Sequence, residues 1–346
     1  MLADLALAVL LVGLTAYAVL GGADFGAGCW DLTAGGAERG SRIRGMIKRS
    51  MGPVWEANHV WLIFVLVILW TCFPRAFGPL MENLYVPLFL ASVGIILRGA
   101  AFALRGEAAT IAEARALGAT FAISSVLTPF FLGATVGAVA SGQVALDDPG
   151  GPISTWTNAT SLFAGLLAVA TGAYVAAIFL AADSDRAGFA DLAERFRARA
   201  LGSALVSGAL AVAGLAVVNS DAPDLYAGLT SGVGLVLVVV SVLAGALTLW
   251  LVWDRRFGPA RVTAGAAVGS MLVGMGVALR PDFLPGELSF QDAAAGDATL
   301  IATLISVAVG LCVIVPALVY LFRLTLAGTL TEELKPIGSS DTEAPR

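Results

Sequence analysis

Apolar residues in this chain come in long unbroken runs, with few alternating or one-faced stretches. Nine runs approach or exceed the about 20 residues that a helix needs to cross a bilayer. They lie near residues 3–28, 52–73, 84–104, 117–140, 159–182, 200–219, 228–253, 262–279 and 298–322. Each is expected to be a spanning helix, so the fold class read from the pattern is all-α: a polytopic integral membrane protein with nine transmembrane helices. Polar residues fill the short connections and the end of the chain, where Thr331 to Arg346 is rich in Pro, Ser, Asp and Glu and reads as disordered. The expected division is one transmembrane domain over residues 1–323 and a polar cytoplasmic tail over 324–346. Of the longer connections, SDRAGFADLAERFRARA has room for a short amphipathic interfacial helix at most.

The charges in the connections set an orientation. The first carries Arg39, Arg42, Arg44, Lys48 and Arg49, the third Arg105 and Arg115, the fifth Arg186, Arg195, Arg197 and Arg199, and the seventh Arg255, Arg256 and Arg261. The fourth (QVALDDPGGPISTWTNA) and sixth (SDAPDLYAG) have neither Lys nor Arg, and the second and eighth have only Arg75 and Arg280. Basic connections stay in the cytoplasm. The amino terminus is therefore expected outside and the carboxyl terminus in the cytoplasm, which requires an odd number of spans and favours nine over eight. A chain that is 58% hydrophobic and 13% charged has more apolar surface than one soluble core can bury. Its net charge of −5 includes no basic block suited to nucleic acid. Cys29, Cys72 and Cys312 have no C-x-x-C spacing, so neither a zinc site nor a disulfide framework is indicated. The opening MLADLALAVLLVGLTAYAVLGG lacks a basic leader and reads as a retained first helix.

Against this background, PVWEANHVW at residues 53–61 is unusual, because it places a glutamate, an asparagine and the single histidine at the start of a span. With the orientation above, Asp24 in GGADFGAG, Glu56 and Arg98 all converge on the cytoplasmic half of the membrane. A charge at the centre of a spanning helix costs about 2.5 to 3.5 kcal/mol, so such groups face a partner or water. Two readings stand side by side. Arg98 pairs with an acid as glue between helices, or snorkels to the interface; alternatively Glu56 carries protons, its carboxyl tuned by desolvation, with Asp24 orienting it or sharing the path. His59 follows Glu56 by three residues and shares its helix face, which suits a hydrogen-bonding or relay role. One histidine does not make a bis-histidine heme site, and Met51, Met271 and Met275 read as packing. Trp55 reads as an interfacial anchor; Trp61 lies deeper. Gly22 and Gly26 form a small-x-x-x-small step for close helix approach. Phosphate-loop, nucleophile-elbow and zinc-protease motifs do not occur. The chain is not expected to catalyse a reaction alone. A secondary transporter lined by Asp24, Glu56 and Arg98 and a self-contained heme protein remain alternatives, although the inner-half polar residues cluster in the first three spans, which weighs against a transporter with two corresponding halves.

The stretches GGADFGAGCWDL, GPVWEANHVWLIFVLVILWTCFPRAFG and LYVPLFLASVGIILRGAAFALRGE resemble subunit II of the cytochrome bd-type quinol oxidases, as do TSLFAGLLAVATGAYVAAIFLAADS and RPDFLPGELSFQDAAAGDATL further on. The likeness runs along most of the chain and is densest in its first 107 residues. It implies two four-helix bundles plus a peripheral helix in a bacterial cytoplasmic membrane. It also implies a partner subunit I that carries the b- and d-type hemes and oxidises membrane quinol to reduce oxygen, with no heme ligated here. Room remains for a small accessory subunit and for a structural quinone or lipid between helices. By the same resemblance Glu56 stands on a proton route from the cytoplasm, Trp61 near an oxygen entry route, and Asp24 at a structural or proton-handling position. Arg98, Trp55 and Asn58 take structural roles, and His59 supports the proton path. Glu56 stands where better-known members have Asp, and His59 where they have Gln or Glu. WEANHVW therefore marks a divergent branch, in which a non-quinol electron donor is an alternative.

Overall fold

The computed structural model describes residues 1–52, 55–147 and 150–326, without the side chains of residues 37–39, 56, 57, 322, 325 and 326. Helix α1 (Leu2–Ala16) runs through a π-turn at Tyr17–Gly21 into α2 (Gly22–Leu32) as one rod. There follow α3 (Ala37–Met51), α4 (Trp55–Cys72), α5 (Pro74–Asn83), α6 (Tyr85–Leu104), α7 (Ile111–Ala140), α8 (Ala159–Arg186), α9 (Ala190–Asp221), α10 (Pro223–Leu229), α11 (Gly232–Trp253) and α12 (Phe257–Ala278). A hairpin of β1 (Asp282–Leu284) and β2 (Leu288–Ser289), the short α13 (Phe290–Ala293) and α14 (Asp297–Leu326) complete the described chain. The polar tail expected over 324–346 lies outside the described residues from 327 onward.

Among the described residues, eight rods are long and apolar enough to cross a membrane: α1–α2, α6, α7, α8, α9, α11, α12 and α14. The run expected over 52–73 is present as α4, of which Asn58–Cys72 is a described apolar stretch.

Two connections hold more structure than the apolar runs reveal. The basic first connection forms α3, whose Ile43, Met46, Ile47 and Met51 are buried while Arg42, Lys48 and Arg49 face out. That spacing is the signature of an amphipathic helix laid on a core. The stretch expected to hold a separate interfacial helix instead begins α9. Gly188 turns the chain at φ +78°, and from Ala190 nothing breaks the helix before Asp221. Leu192, Ala193, Phe196 and Ala200 bury one face of this polar start, so it is an extension of a span. At the start of α7 the sequence TIAE forms a capping box: Thr110 Oγ1 accepts from the Glu113 amide at 3.2 Å, and the Glu113 carboxylate accepts from the Thr110 amide at 3.1 Å.

Helix α8 is central, packed against α2, α7, α9 and α12. Glycine makes this possible. A Cβ at Gly26 would overlap the carbonyl of Gly172 on α8, and one at Gly28 would overlap the Ser125 side chain on α7. The Gly22–Gly26 step expected from the sequence thus sits against Gly172, and Trp30 Nε1 donates to the Ala173 carbonyl at 2.9 Å one turn further on. Helices α6 and α7 pack as neighbours, as do α11 and α12; α1 packs on α4 and α12, and α14 lies against α4 and α1. At the end of the molecule where α4 finishes, Phe283 of the hairpin packs on Phe73 and Phe290, with Leu80, Leu284 and Leu288 in the same cluster.

Candidate functional site

Between Asp4 and Asp31 the α1–α2 rod has one charged residue, Asp24, and the fold surrounds it with partners. Asp24 is 0% and Arg98 1% exposed. Arg98 Nη2 donates to Asp24 Oδ1 at 2.7 Å and to the Asp24 carbonyl at 3.1 Å, and Nε donates to Ser125 Oγ at 3.0 Å. Ser125 in turn donates to the Phe121 carbonyl at 2.6 Å. The rings of Phe25 and Phe121 cover the guanidinium at 5.0 and 4.9 Å from their centroids. Of the two readings of Arg98, pairing with an acid is what the fold contains; snorkelling to the interface is not. Among the described residues, Asp24 Oδ2 is buried with no hydrogen-bond partner. The carboxylate is therefore held at one oxygen and available at the other.

A second rung repeats the first. Asp31 is 3% exposed and accepts from Arg44 Nε at 2.8 Å and from Arg105 Nη1 in a short contact. Arg44 also donates to the Gly35 and Gly36 carbonyls, which fastens α3 to the end of α2. Asp24 to Asp31 and Arg98 to Arg105 are both steps of seven residues. Two turns of helix bring a residue back to nearly the same face about 10.5 Å further along. Asp31 and Arg105 are not among the residues singled out from the sequence, and this shared spacing is the signal that identifies them.

Helix α4 approaches the rod at its π-turn. Such wide turns disturb the regular carbonyl ladder, and Asn58 donates Nδ2 to the Leu20 carbonyl within it at 3.3 Å. Asn58 is thereby a clasp between α4 and the rod. His59 Nδ1 lies 2.8 Å from the Trp55 carbonyl, and because a carbonyl only accepts, Nδ1 carries the hydrogen. The imidazole stands edge-on to Tyr17, Phe25 and Trp55 at centroid distances of 6.4, 5.8 and 6.1 Å. With Nδ1 engaged, Nε2 is the imidazole's remaining nitrogen. Among the described residues no three His, Cys, Asp or Glu side chains gather as a metal site.

Trp55 packs on Phe102 of α6 at 5.6 Å, so it ties α4 to α6. Trp61 is half-buried and edge-on to Phe64 at 5.9 Å. Glu56 lies in the first turn of α4 by its backbone, and its side chain is outside the described residues. The arrangement unites Asp24, Arg98, Asn58, His59 and Trp55 in one layer where α2, α4, α6 and α7 meet. Chemically it sets a buried, ion-paired carboxylate and a half-buried imidazole on either side of the Phe25 ring, which lies against both Arg98 and His59.

Comparison with known proteins places this layer in a family. Cytochrome bd ubiquinol oxidase subunit 2 of Bacillus subtilis is 29% identical over 126 residues, a match that spans 36% of this chain and 36% of that relative. The fold is similar to a chain of the bd oxidase structure from Geobacillus thermodenitrificans, with a TM-score of 0.75 at 24% identity over 94% of this chain and 99% of that one. Residues 2–325 match the family described as cytochrome bd terminal oxidase subunit II, and on that span the chain belongs to it.

Proposed function

We propose that this chain is a heme-free subunit II of a bd-type terminal oxidase in a bacterial cytoplasmic membrane. It completes a partner subunit I that holds the b- and d-type hemes and takes electrons from membrane quinol to reduce oxygen. In this reading the chain crosses the membrane nine times, with α4 as the ninth span, as two four-helix groups and peripheral α14. The amino terminus is outside and the tail in the cytoplasm. The chain contributes proton delivery through Glu56, supported by Asp24 and His59, and Trp61 borders a route for oxygen.

The observation that carries the reading is the Asp24 carboxylate. An acid buried to 0% exposure, ion-paired at Oδ1 and with Oδ2 unpartnered among the described residues, is an unusual feature to retain in a membrane helix for packing alone. Its neighbour Phe25 packs on His59 of α4, the helix whose first turn contains Glu56. The second rung at Asp31 continues the acids of α2 toward the end of the molecule rich in Arg and Lys, which the orientation above makes the cytoplasmic one.

Purification of the tagged chain from its own membranes tests the assignment. It should bring down a larger helical, heme-bearing partner, and the Soret band should follow the partner when the two are separated. A Soret band that stays with this chain alone would overturn the heme-free assignment.

A further inference from the structure

Buried polar atoms in folded proteins are hydrogen-bonded with few exceptions, so each orphan asks for an account. Two orphans lie on the same rod within two turns of each other. Tyr17 is 7% exposed and its hydroxyl is buried with no partner among the described residues, and Asp24 Oδ2 is in the same condition. One is a donor without an acceptor and the other an acceptor without a donor. We propose that Tyr17 is a relay residue whose hydroxyl, joined to Asp24 Oδ2 through ordered water, carries protons between the acid of α2 and His59 of α4. The inference deepens the proton-delivery reading and rests on it.

Three features of the rod support this. Tyr17 opens the π-turn that leads into α2, so the hydroxyl and Asp24 belong to one rod, seven positions apart in sequence number. Helical side chains ordinarily lean toward the amino-terminal end, which would aim Tyr17 away from Asp24. Here the ring lies over Gly21 one turn ahead, where a Cβ would come within 2.8 Å of Cε2, so the absence of a side chain at Gly21 lets the phenol lean toward Asp24. Asp24 and Arg98 are the charged groups that act on the hydroxyl. The Tyr17 ring also packs edge-on to both Phe25 and His59 at 6.4 Å, which fixes it between α2 and α4.

The chemistry balances without any further reagent. With Nδ1–H given to the Trp55 carbonyl, the neutral imidazole presents Nε2 as an acceptor. The hydroxyl releases its proton through a second ordered water to His59 Nε2 as it takes one from the water on the Asp24 side, and the imidazole passes a proton onward in its turn. The O–H bond that breaks is replaced by one that forms, and the phenol is neutral before and after.

Tyr17→Phe removes one oxygen and keeps the ring and its contacts, so it should leave assembly and heme content unchanged. In the assembled oxidase, oxygen consumption should fall several-fold and its solvent isotope effect in D2O should change, a readout that a packing role would not move. Glu56→Gln measured beside it separates the two claims. If Glu56→Gln slows turnover while Tyr17→Phe matches the parent in rate and isotope effect, the Tyr17 relay is overturned and the wider reading stands. If Glu56→Gln also matches the parent, the wider reading fails, and the relay that rests on it fails too.

Discussion

Replacing Arg98 by leucine is expected to remove most of the folded chain from the membrane. The guanidinium is 1% exposed and satisfies the Asp24 carboxylate, the Asp24 carbonyl and Ser125 together, between the rings of Phe25 and Phe121. Leucine fills much of the volume but leaves a carboxylate without its cation in an apolar layer. Breaking a buried pair by removing one partner costs about 3 to 5 kcal/mol, against a total stability of about 5 to 15 kcal/mol for a typical domain. Removing both charges is far milder, since a buried pair repays its own desolvation poorly. The double variant Asp24→Asn, Arg98→Leu should therefore recover a large part of the loss. Thermal unfolding of detergent-extracted protein checks this. A double variant no more stable than Arg98→Leu alone would show that the arginine acts through contacts other than Asp24.

Gly26→Ala should be the next most damaging change, although alanine is the better helix former. Its methyl would overlap the Gly172 carbonyl, and neither backbone can yield without separating α2 from α8. Overpacking of this kind costs about 1 to 3 kcal/mol, and more where backbone rather than a side chain must move. Gly22→Ala one turn away is the control, because its Cβ would meet only the Gly172 Cα at 3.9 Å, an ordinary contact. Unfolding midpoints should fall clearly for Gly26→Ala and stay near the parent for Gly22→Ala. Equal shifts would mean that α2 and α8 do not depend on this crossing.

The spans were legible because the solvent in which they fold is apolar: a helix in lipid has to be apolar along its length, and that leaves a mark no connection can imitate. The same logic hid what lies outside lipid. Helix α3 and the polar start of α9 are stabilised by packing onto neighbouring helices, and their sequences carry charge at the same density as a loop. The Asp24–Arg98 pair was legible in part, since two opposite charges at one depth have few other ways to be accommodated. Its second rung, Asp31 with Arg105, was equally available in the spacing of seven. The π-turn at Tyr17–Gly21, the Asn58 clasp on the Leu20 carbonyl and the lean of the Tyr17 ring were not legible. Each depends on where a second helix lies, and no local pattern encodes that.

The central claim is that an acid at the start of α4 delivers protons to a partner's oxygen chemistry, and oxygen consumption by the assembled Glu56→Gln oxidase tests it most directly. Glutamine keeps the shape and one carbonyl acceptor, and its NH2 replaces the oxygen that carries the titratable proton. The rate should fall on the order of tenfold to a hundredfold, as the loss of a positioned proton carrier does elsewhere, while heme content and subunit ratio stay at the parent level. A full rate with normal heme, or a rate lost only in proportion to heme, would contradict the account.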